Sequence, residues 1–196
     1  MRTLLIILFL FLSSSLNAEG KYFIGSSAFV LANLDSSTDI PPNFYQLNFG
    51  VKLDDQQTLS VEFITWRYYS PLGIPLGEGK LKDSNRFPGY VKAKGIGIAY
   101  QNFFKDKFFS ALHVQWMQQD YIDNSDNKLG SGEQIFMTLR LGYQFRFFSG
   151  RVFLEPNLAI TYWPVNTNLP SSFQAEEDRW PNYFAPEPGL HIGYSF

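Results

Sequence analysis

The sequence predicts an all-β fold, an eight-stranded antiparallel up-and-down transmembrane β-barrel, and three features support this prediction. Long segments alternate between apolar and polar residues with a period of two, as strands with two different faces do. The connections between these segments alternate between short turns and long loops. Beyond the N-terminal segment, no apolar run approaches the roughly 18 residues that a membrane-spanning helix needs.

The composition excludes several classes of protein. A chain of 196 residues is the size of one domain, and its net charge of -2 gives no electrostatic basis for binding nucleic acid. The absence of cysteine excludes disulfide scaffolds, thiolate zinc sites and cysteine nucleophiles. The aromatic share of 18% is unusual and requires a physical reason.

Residues 1–18 are predicted to form a secretory signal peptide, which leaves residues 19–196 as the barrel. Arg2 supplies a positive charge, residues 4–12 are entirely apolar, and Ala18 is a small residue suited to the position before cleavage. The apolar run is too short to span a bilayer as a helix. An uncleaved anchor is the alternative interpretation.

The clearest alternation lies in residues 44–53 and 134–147. In the first of these, Tyr45 and Leu47 alternate with Gln46 and Asn48, which gives one apolar and one mostly polar face. Both faces of the first strand are mixed, so its orientation stays open. The six other predicted strands cover residues 21–31, 58–69, 90–104, 107–119, 151–163 and 184–196.

The connections follow the plan of an outer-membrane barrel, in which short turns face the periplasm and long loops face outside. The predicted turns are residues 54–57, 105–107 and 149–150, and the predicted loops are residues 35–42, 70–89, 120–133 and 164–183.

Two turns allow the register to be checked. A two-residue hairpin loop at 149–150 places Gln144 opposite Glu155 and puts Phe145 beside Leu154, so the polar faces agree. A three-residue turn at 105–107 places the small residues of one strand on the face that carries polar residues in the next, with residue 99 beside residue 113. Both hairpins therefore reproduce one apolar surface.

Face composition indicates which side meets lipid. The polar face carries many small residues suited to a narrow lumen, whereas bulky apolar side chains exposed all round would aggregate in water but suit lipid. Aromatic residues near the strand ends would form interfacial girdles, which accounts for their abundance. The predicted outer girdle contains Tyr68, Tyr69, Trp116, Tyr162 and Trp163, and the inner one Phe104, Phe108, Phe147, Tyr194 and Phe196.

The last strand gives the most specific signal. Leu190, Ile192, Tyr194 and Phe196 alternate up to a terminal phenylalanine, and the chain resembles outer-membrane proteins, whose final strand typically ends this way. Its plan is similar to the small eight-stranded barrels of the outer-membrane protein A and X type. The stretches PLGIP, RFPGY and EPGLHIGY also look similar to small outer-membrane proteins of unassigned function.

This resemblance implies location more than activity. It implies the outer membrane of a Gram-negative bacterium, contact with outer-membrane lipid and lipopolysaccharide, and recognition by the barrel assembly machinery during biogenesis.

Charged and polar residues on the inner face are predicted to meet in the lumen. The acidic and basic side chains there cancel, and a narrow barrel lets them satisfy one another as an ionic plug. The predicted network consists of Glu62, His113, Arg140, Gln144, Glu155, Glu187 and His191.

The alternatives are a narrow pore, a lipid A-modifying enzyme and a soluble binding barrel. Ser195, His191 and Glu187 share a face, but spacings of four along one strand separate them by about 13 Å, so they cannot form a triad. The interior is expected to be too polar for an acyl chain. We predict no catalytic residue and no cofactor. We also predict no metal site, because the acidic loop residues 120, 123 and 126 lack the glycine and glutamate of a calcium loop.

The external loops are the remaining functional candidates. Residues 71–90 and 164–183 mix proline, aromatic and charged side chains, a composition able to hold ordered shapes and contact an extracellular ligand. The sequence therefore predicts a non-enzymatic barrel with a polar, plugged interior and a structural or adhesive role.

Overall fold

The structure is a computed structural model that describes residues 20–34, 41–79, 82–105 and 107–196. The predicted signal peptide and Glu19 lie outside the described residues. The strands are β1 (Tyr22–Ser27), β2 (Tyr45–Lys52), β3 (Gln57–Tyr68), β4 (Gly89–Phe104), β5 (Phe108–Asp123), β6 (Lys128–Tyr143), β7 (Phe145–Phe147), β8 (Val152–Asn166) and β9 (Tyr183–Ser195). The helices are α1 (Ser171–Glu177) and two 3-10 helices, Ala28–Leu34 and Asp83–Asn85.

The strands form one antiparallel sheet that closes into a ring. Each strand pairs with its neighbours in sequence, and β1 pairs with both β2 and β9. Both β6 and β7 pair with β8, so they are one strand interrupted at Gln144. The ring therefore has eight strand positions, and the predicted fold class is confirmed. We call the end that carries the connections 53–56, 105–107 and 148–151 the turn end, and the opposite end the loop end.

Both predicted hairpin registers are confirmed. Across the first, Ala99 pairs with His113. Across the second, Phe145 pairs with Leu154. The second turn is tight because Gly150 adopts a positive φ of 82°, as a two-residue hairpin loop of this kind requires.

The ring is apolar outside and polar or small inside, as the alternation predicts. On β4, Ile96 and Ile98 are more than half exposed, whereas Ala99 between the outward positions is buried. The outward-facing side chains form a continuous apolar belt, which includes Leu47, Phe49, Leu59, Val61, Phe63, Ile96, Ile98, Tyr100, Leu112, Trp116, Met137, Leu139, Leu141, Leu158, Ile160, Leu190 and Ile192. Phe196, at the end of the last strand, is also exposed.

Two predicted boundaries are wrong. The predicted loop 120–133 is a tight turn, because β5 continues to Asp123 and β6 starts at Lys128. The Asp123 carboxylate accepts from the backbone N–H of Ser125 at 2.8 Å and of Asn127 at 2.9 Å, and so closes the turn. The first strand also ends earlier than predicted, because residues 28–34 form a 3-10 helix.

Two of the predicted outer-girdle residues are inside the barrel. Tyr68 and Trp163 are buried and belong to an apolar cluster within the loop half of the lumen. Trp116 and Tyr162 are exposed on the outer face.

The predicted loop 164–183 contains secondary structure, because residues 171–177 within it form the helix α1.

Candidate functional site

The turn half of the lumen holds a hydrogen-bonded polar network. At its centre, Glu62 of β3 is 0% exposed. Its Oε1 accepts from His113 Nδ1 at 3.0 Å and from Gln46 Nε2 at 3.2 Å, and its Oε2 accepts from Gln115 Nε2 at 2.7 Å. When Glu62 is ionised it can only accept, and His113 Nδ1 is then the donor of this hydrogen bond.

A second part of the network joins β6 to β9. Arg140 Nη1 donates to His191 Nε2 at 2.6 Å. Since arginine can only donate, His191 is an acceptor at Nε2. The ring of His191 lies 6.4 Å from that of His113, nearly parallel to it, and Asn157 Nδ2 lies 3.2 Å from His191 Nδ1. The two histidines and Arg140 therefore share one layer of the lumen.

A third part surrounds Glu155. Its Oε1 accepts from Gln144 Nε2 at 2.6 Å and from Gln101 Nε2 at 3.0 Å. Arg146 Nε donates to Gln144 Oε1 at 2.5 Å, and this hydrogen bond extends the polar network toward the turn end. Six of the seven predicted network residues thus lie in direct contact with another of them.

Glu187 is the exception. Its Oε2 accepts from Thr161 Oγ1 at 2.6 Å, and Thr161 in turn contacts Thr138 at 3.0 Å. Within the described part of the chain, Glu187 makes no hydrogen bond to the other six predicted residues.

Little space remains between these groups. A cavity of about 50 Å³ lies in the turn half, with His113, Arg140, Glu155 and His191 among its walls. A water molecule needs roughly 10–15 Å³ of such volume, so the cavity has room for a few waters. Its size is suited to solvating buried charges and is too small for an organic substrate.

The loop half of the lumen is filled differently, by an apolar cluster that the sequence did not predict. Phe173 of α1 is 0% exposed and stacks on Phe87 with ring centroids 4.9 Å apart; it also packs against Tyr121 at 5.6 Å. The cluster comprises Phe44, Ile64, Tyr68, Leu72, Phe87, Val91, Ala93, Met117, Tyr121, Phe136, Trp163 and Phe173. The expectation of a polar interior is therefore correct for most of the turn half, where Phe103 and Phe109 also pack, and wrong for most of the loop half, where Gln119 is nevertheless buried.

Polar contacts tie α1 into this cluster. Trp163 Nε1 donates to Glu177 Oε1 at 3.2 Å. Burial raises the pKa of Glu177, which this hydrogen bond partly offsets. Deeper in the lumen, Gln119 Nε2 donates to the Tyr68 hydroxyl and to Gln134 Oε1, each at 2.6 Å.

The two long loops also contact each other over the mouth of the barrel. Arg179 Nη1 donates to the Ser84 carbonyl at 2.8 Å. Gly73 packs so closely that an added Cβ would lie 1.8 Å from the Pro181 carbonyl oxygen. Leu72 and Ile74 beside it are buried. The loops thus form one packed cap over the barrel.

The sequence gives only a weak indication that Phe173 of α1 packs inside the barrel. Pro170 followed by two serines is a helix-start pattern, and Phe173 is the only aromatic residue between 171 and 179. Neither feature shows that the short helix turns inward, because that depends on contacts with distant strands.

No helix within the described ranges has the length and apolar character needed to cross a membrane. Among the residues that the structure describes, no three His, Asp or Glu side chains cluster closely enough to hold a metal ion.

Comparison with known proteins gives a structural likeness alone. No protein-family model matches the chain, and no curated protein matches it. The crystal structure of Neisserial surface protein A is similar over 92% of this chain and 100% of that chain, with 9% sequence identity and a TM-score of 0.46. The ring topology itself is established by the strand pairing of this chain.

Proposed function

We propose that the chain is an integral outer-membrane β-barrel of a Gram-negative bacterium, with a closed interior and a structural or surface-binding role. In this orientation the turn end faces the periplasm and the loop end faces outside. The proposed partners are outer-membrane lipid and lipopolysaccharide, the assembly machinery during biogenesis, and an extracellular ligand at the loops.

The observation that carries the proposal is the inverted polarity of the ring. Large apolar side chains are exposed around the ring, as Leu47 on β2, Leu112 on β5 and Leu158 on β8 illustrate. Such a continuous apolar surface favours aggregation in water and is the surface that lipid requires. On β4 the belt runs from Ile96 to Phe104, nine residues, which is close to the 9–11 that a tilted spanning strand uses.

The filled lumen and packed cap favour a surface role over transport. The polar network occupies the turn half, and Phe173 with its neighbours occupies the loop half. Loops fixed by contacts such as Arg179 to Ser84 present a defined shape, which suits recognition of a partner.

Membrane fractionation followed by electrophoresis of boiled and unboiled samples tests the membrane placement. We expect the protein in the outer-membrane fraction with a mobility that shifts on heating, because a closed barrel resists detergent. A soluble periplasmic protein without such a shift would contradict the proposal and favour a soluble binding barrel.

Two further measurements separate the remaining alternatives. We expect no conductance from the wild-type protein in planar bilayers, and leak or loss of stability in Arg140→Ala, because that change opens the network. Stepwise conductance of the wild type would favour a pore. Mass spectrometry of lipid A from a deletion strain should match the parent strain, and altered acylation would favour an enzyme.

A further inference from the structure

Three basic side chains lie together on the outer face, where the apolar belt ends toward the loop end. Arg67 of β3 stands directly opposite Lys92 of β4, and Lys94 is the next outward residue on β4. We call Arg67, Lys92 and Lys94 the basic trio. Like charges directly opposite each other on paired strands destabilise a sheet. An anion bound between these side chains would relieve the repulsion.

Asp120 balances only part of the charge of the basic trio. It pairs with Lys92 across β4 and β5 and its charge also acts on Lys94, but its carboxylate is held by Lys128 Nζ at 2.7 Å. Glu133 lies two strands away from Lys94. In the part of the chain that the structure describes, no carboxylate oxygen lies within 4.0 Å of a basic nitrogen of the trio.

Neutral groups hold Arg67 in place. Its guanidinium lies 5.2 Å from the centre of the Tyr90 ring, and its Nη1 is 3.5 Å from the Tyr69 hydroxyl. The Asn43 side chain, turned with its oxygen toward Arg67, accepts from Nη2 at 2.9 Å. Arg67 Nε is buried without a hydrogen-bond partner. Lys92 Nζ lies 5.4 Å from the same Tyr90 ring. The basic groups are thus held in position, and Asp120 and Asp126 beside them balance only part of their positive charge.

An apolar groove adjoins the basic trio. It has a volume of about 670 Å³, within the range of roughly 300–1,000 Å³ typical of ligand sites. Lys94, Thr65 and Gln118 are among its lining residues, so the groove and the trio are contiguous. Its apolar lining includes Val30, Leu47, Phe63, Ile96 and Trp116.

We propose that this surface binds a phosphorylated lipid, with an acyl chain in the groove and a phosphate group on the basic trio. The inference rests on the proposed function, because it requires the outer face to lie in lipid. Arginine and lysine at a membrane surface attract anionic headgroups, and arginine donates to phosphate in a bidentate fashion. The contiguous apolar groove points to a lipid rather than to free phosphate.

Native mass spectrometry of the folded protein in detergent, with diphosphoryl lipid A as the probe, tests the proposal. We expect the wild type to retain the lipid. In the double variant K92Q/K94Q, the lipid-bound fraction should fall by a factor of roughly ten or more. The matched control is K105Q/K107Q, two exposed lysines at the turn end of the same hairpin, which should retain wild-type levels. Dephosphorylated lipid A should be retained weakly by all three proteins.

Two results would overturn the proposal. They are equal retention by K92Q/K94Q and K105Q/K107Q, and equal retention of diphosphoryl and dephosphorylated lipid A by the wild type. Each is measured on protein whose heat-shifted mobility shows a closed barrel. Failure of the proposed function is distinct, because it shows as a soluble protein without that shift.

Discussion

The two halves of the lumen are built on the same strands, but hydrogen-bonded polar groups predominate in the turn half and apolar side chains predominate in the loop half. On β3 the inward residue changes from Glu62 to Ile64, and on β5 it changes from Gln115 to Met117, one inward position further toward the loop end. The turn half is filled from the strands themselves. In the loop half, Phe173 of α1, in the connection between β8 and β9, also fills the lumen.

The lumen of a narrow barrel can therefore be filled in two ways, and the two halves should respond differently to the loss of one side chain. In the turn half each donor and acceptor depends on a particular partner, so the loss of one group leaves others buried and unsatisfied. In the loop half, aromatic and aliphatic packing dominates beside hydrogen bonds such as those of Gln119, so the loss of one ring chiefly leaves a cavity.

Removal of the Glu62 carboxylate should have the largest effect. Glu62→Ala leaves three buried donors, on His113, Gln46 and Gln115, without their acceptor, so we expect a loss of about 3–5 kcal/mol in the free energy of unfolding. Urea unfolding followed by tryptophan fluorescence in lipid vesicles measures it. Glu62→Gln is the control and should lose less, because it keeps one acceptor oxygen. An unchanged midpoint in Glu62→Ala would show that the network does not stabilise the barrel.

Truncation of the Phe173 side chain should have the next largest effect. Phe173→Ala empties the space between Phe87 and Tyr121, and we expect a loss of up to about 3 kcal/mol, concentrated in the docking of α1. The measurement is the rate of proteolysis within residues 167–182. Phe148→Ala, at a residue that is 81% exposed, is the matched control and should leave the rate unchanged. Equal rates in all three proteins would contradict a closed loop half.

The docking of α1 should weaken as the pH rises. Burial raises the pKa of Glu177 above that of an exposed glutamate, so the docked state binds the proton more tightly than the undocked state. Docking is therefore strongest below the ordinary glutamate pKa and weakens as the pH rises through the raised pKa. The ratio of cleavage rates between wild type and Glu177→Gln should rise from acidic to neutral pH. A ratio independent of pH would contradict this assignment.

A surface ion pair should matter least. Asp120 and Lys128 are 2.7 Å apart but partly exposed, so Asp120→Asn should change the free energy of unfolding by less than about 1 kcal/mol. The same urea titration measures it, side by side with Glu62→Ala. If Asp120→Asn lowered the free energy of unfolding as much as Glu62→Ala does, burial would not explain why loss of the Glu62 carboxylate is costly.

Alternation predicts the faces and the register because successive side chains of a strand point to opposite faces and directly paired residues share a face. It correctly places Gln144 opposite Glu155, and the structure joins the two at 2.6 Å. It cannot predict where a strand stops, because Asp123 closes a tight turn through its side chain. It also cannot predict that Phe173 turns inward or that Trp163 leaves the girdle, because those choices depend on packing between a loop and distant strands.

The most direct measurement asks whether the apolar belt meets lipid on different sides of the ring. The chain contains no cysteine, so single cysteine variants at Leu47 on β2, Leu112 on β5 and Leu158 on β8 can each carry one fluorophore in vesicles of brominated phosphatidylcholine. We expect strong quenching at all three positions and none for a fluorophore on Ser125 in the water-exposed turn. Absence of quenching at the three belt positions would contradict this expectation and show that this surface does not lie in a membrane.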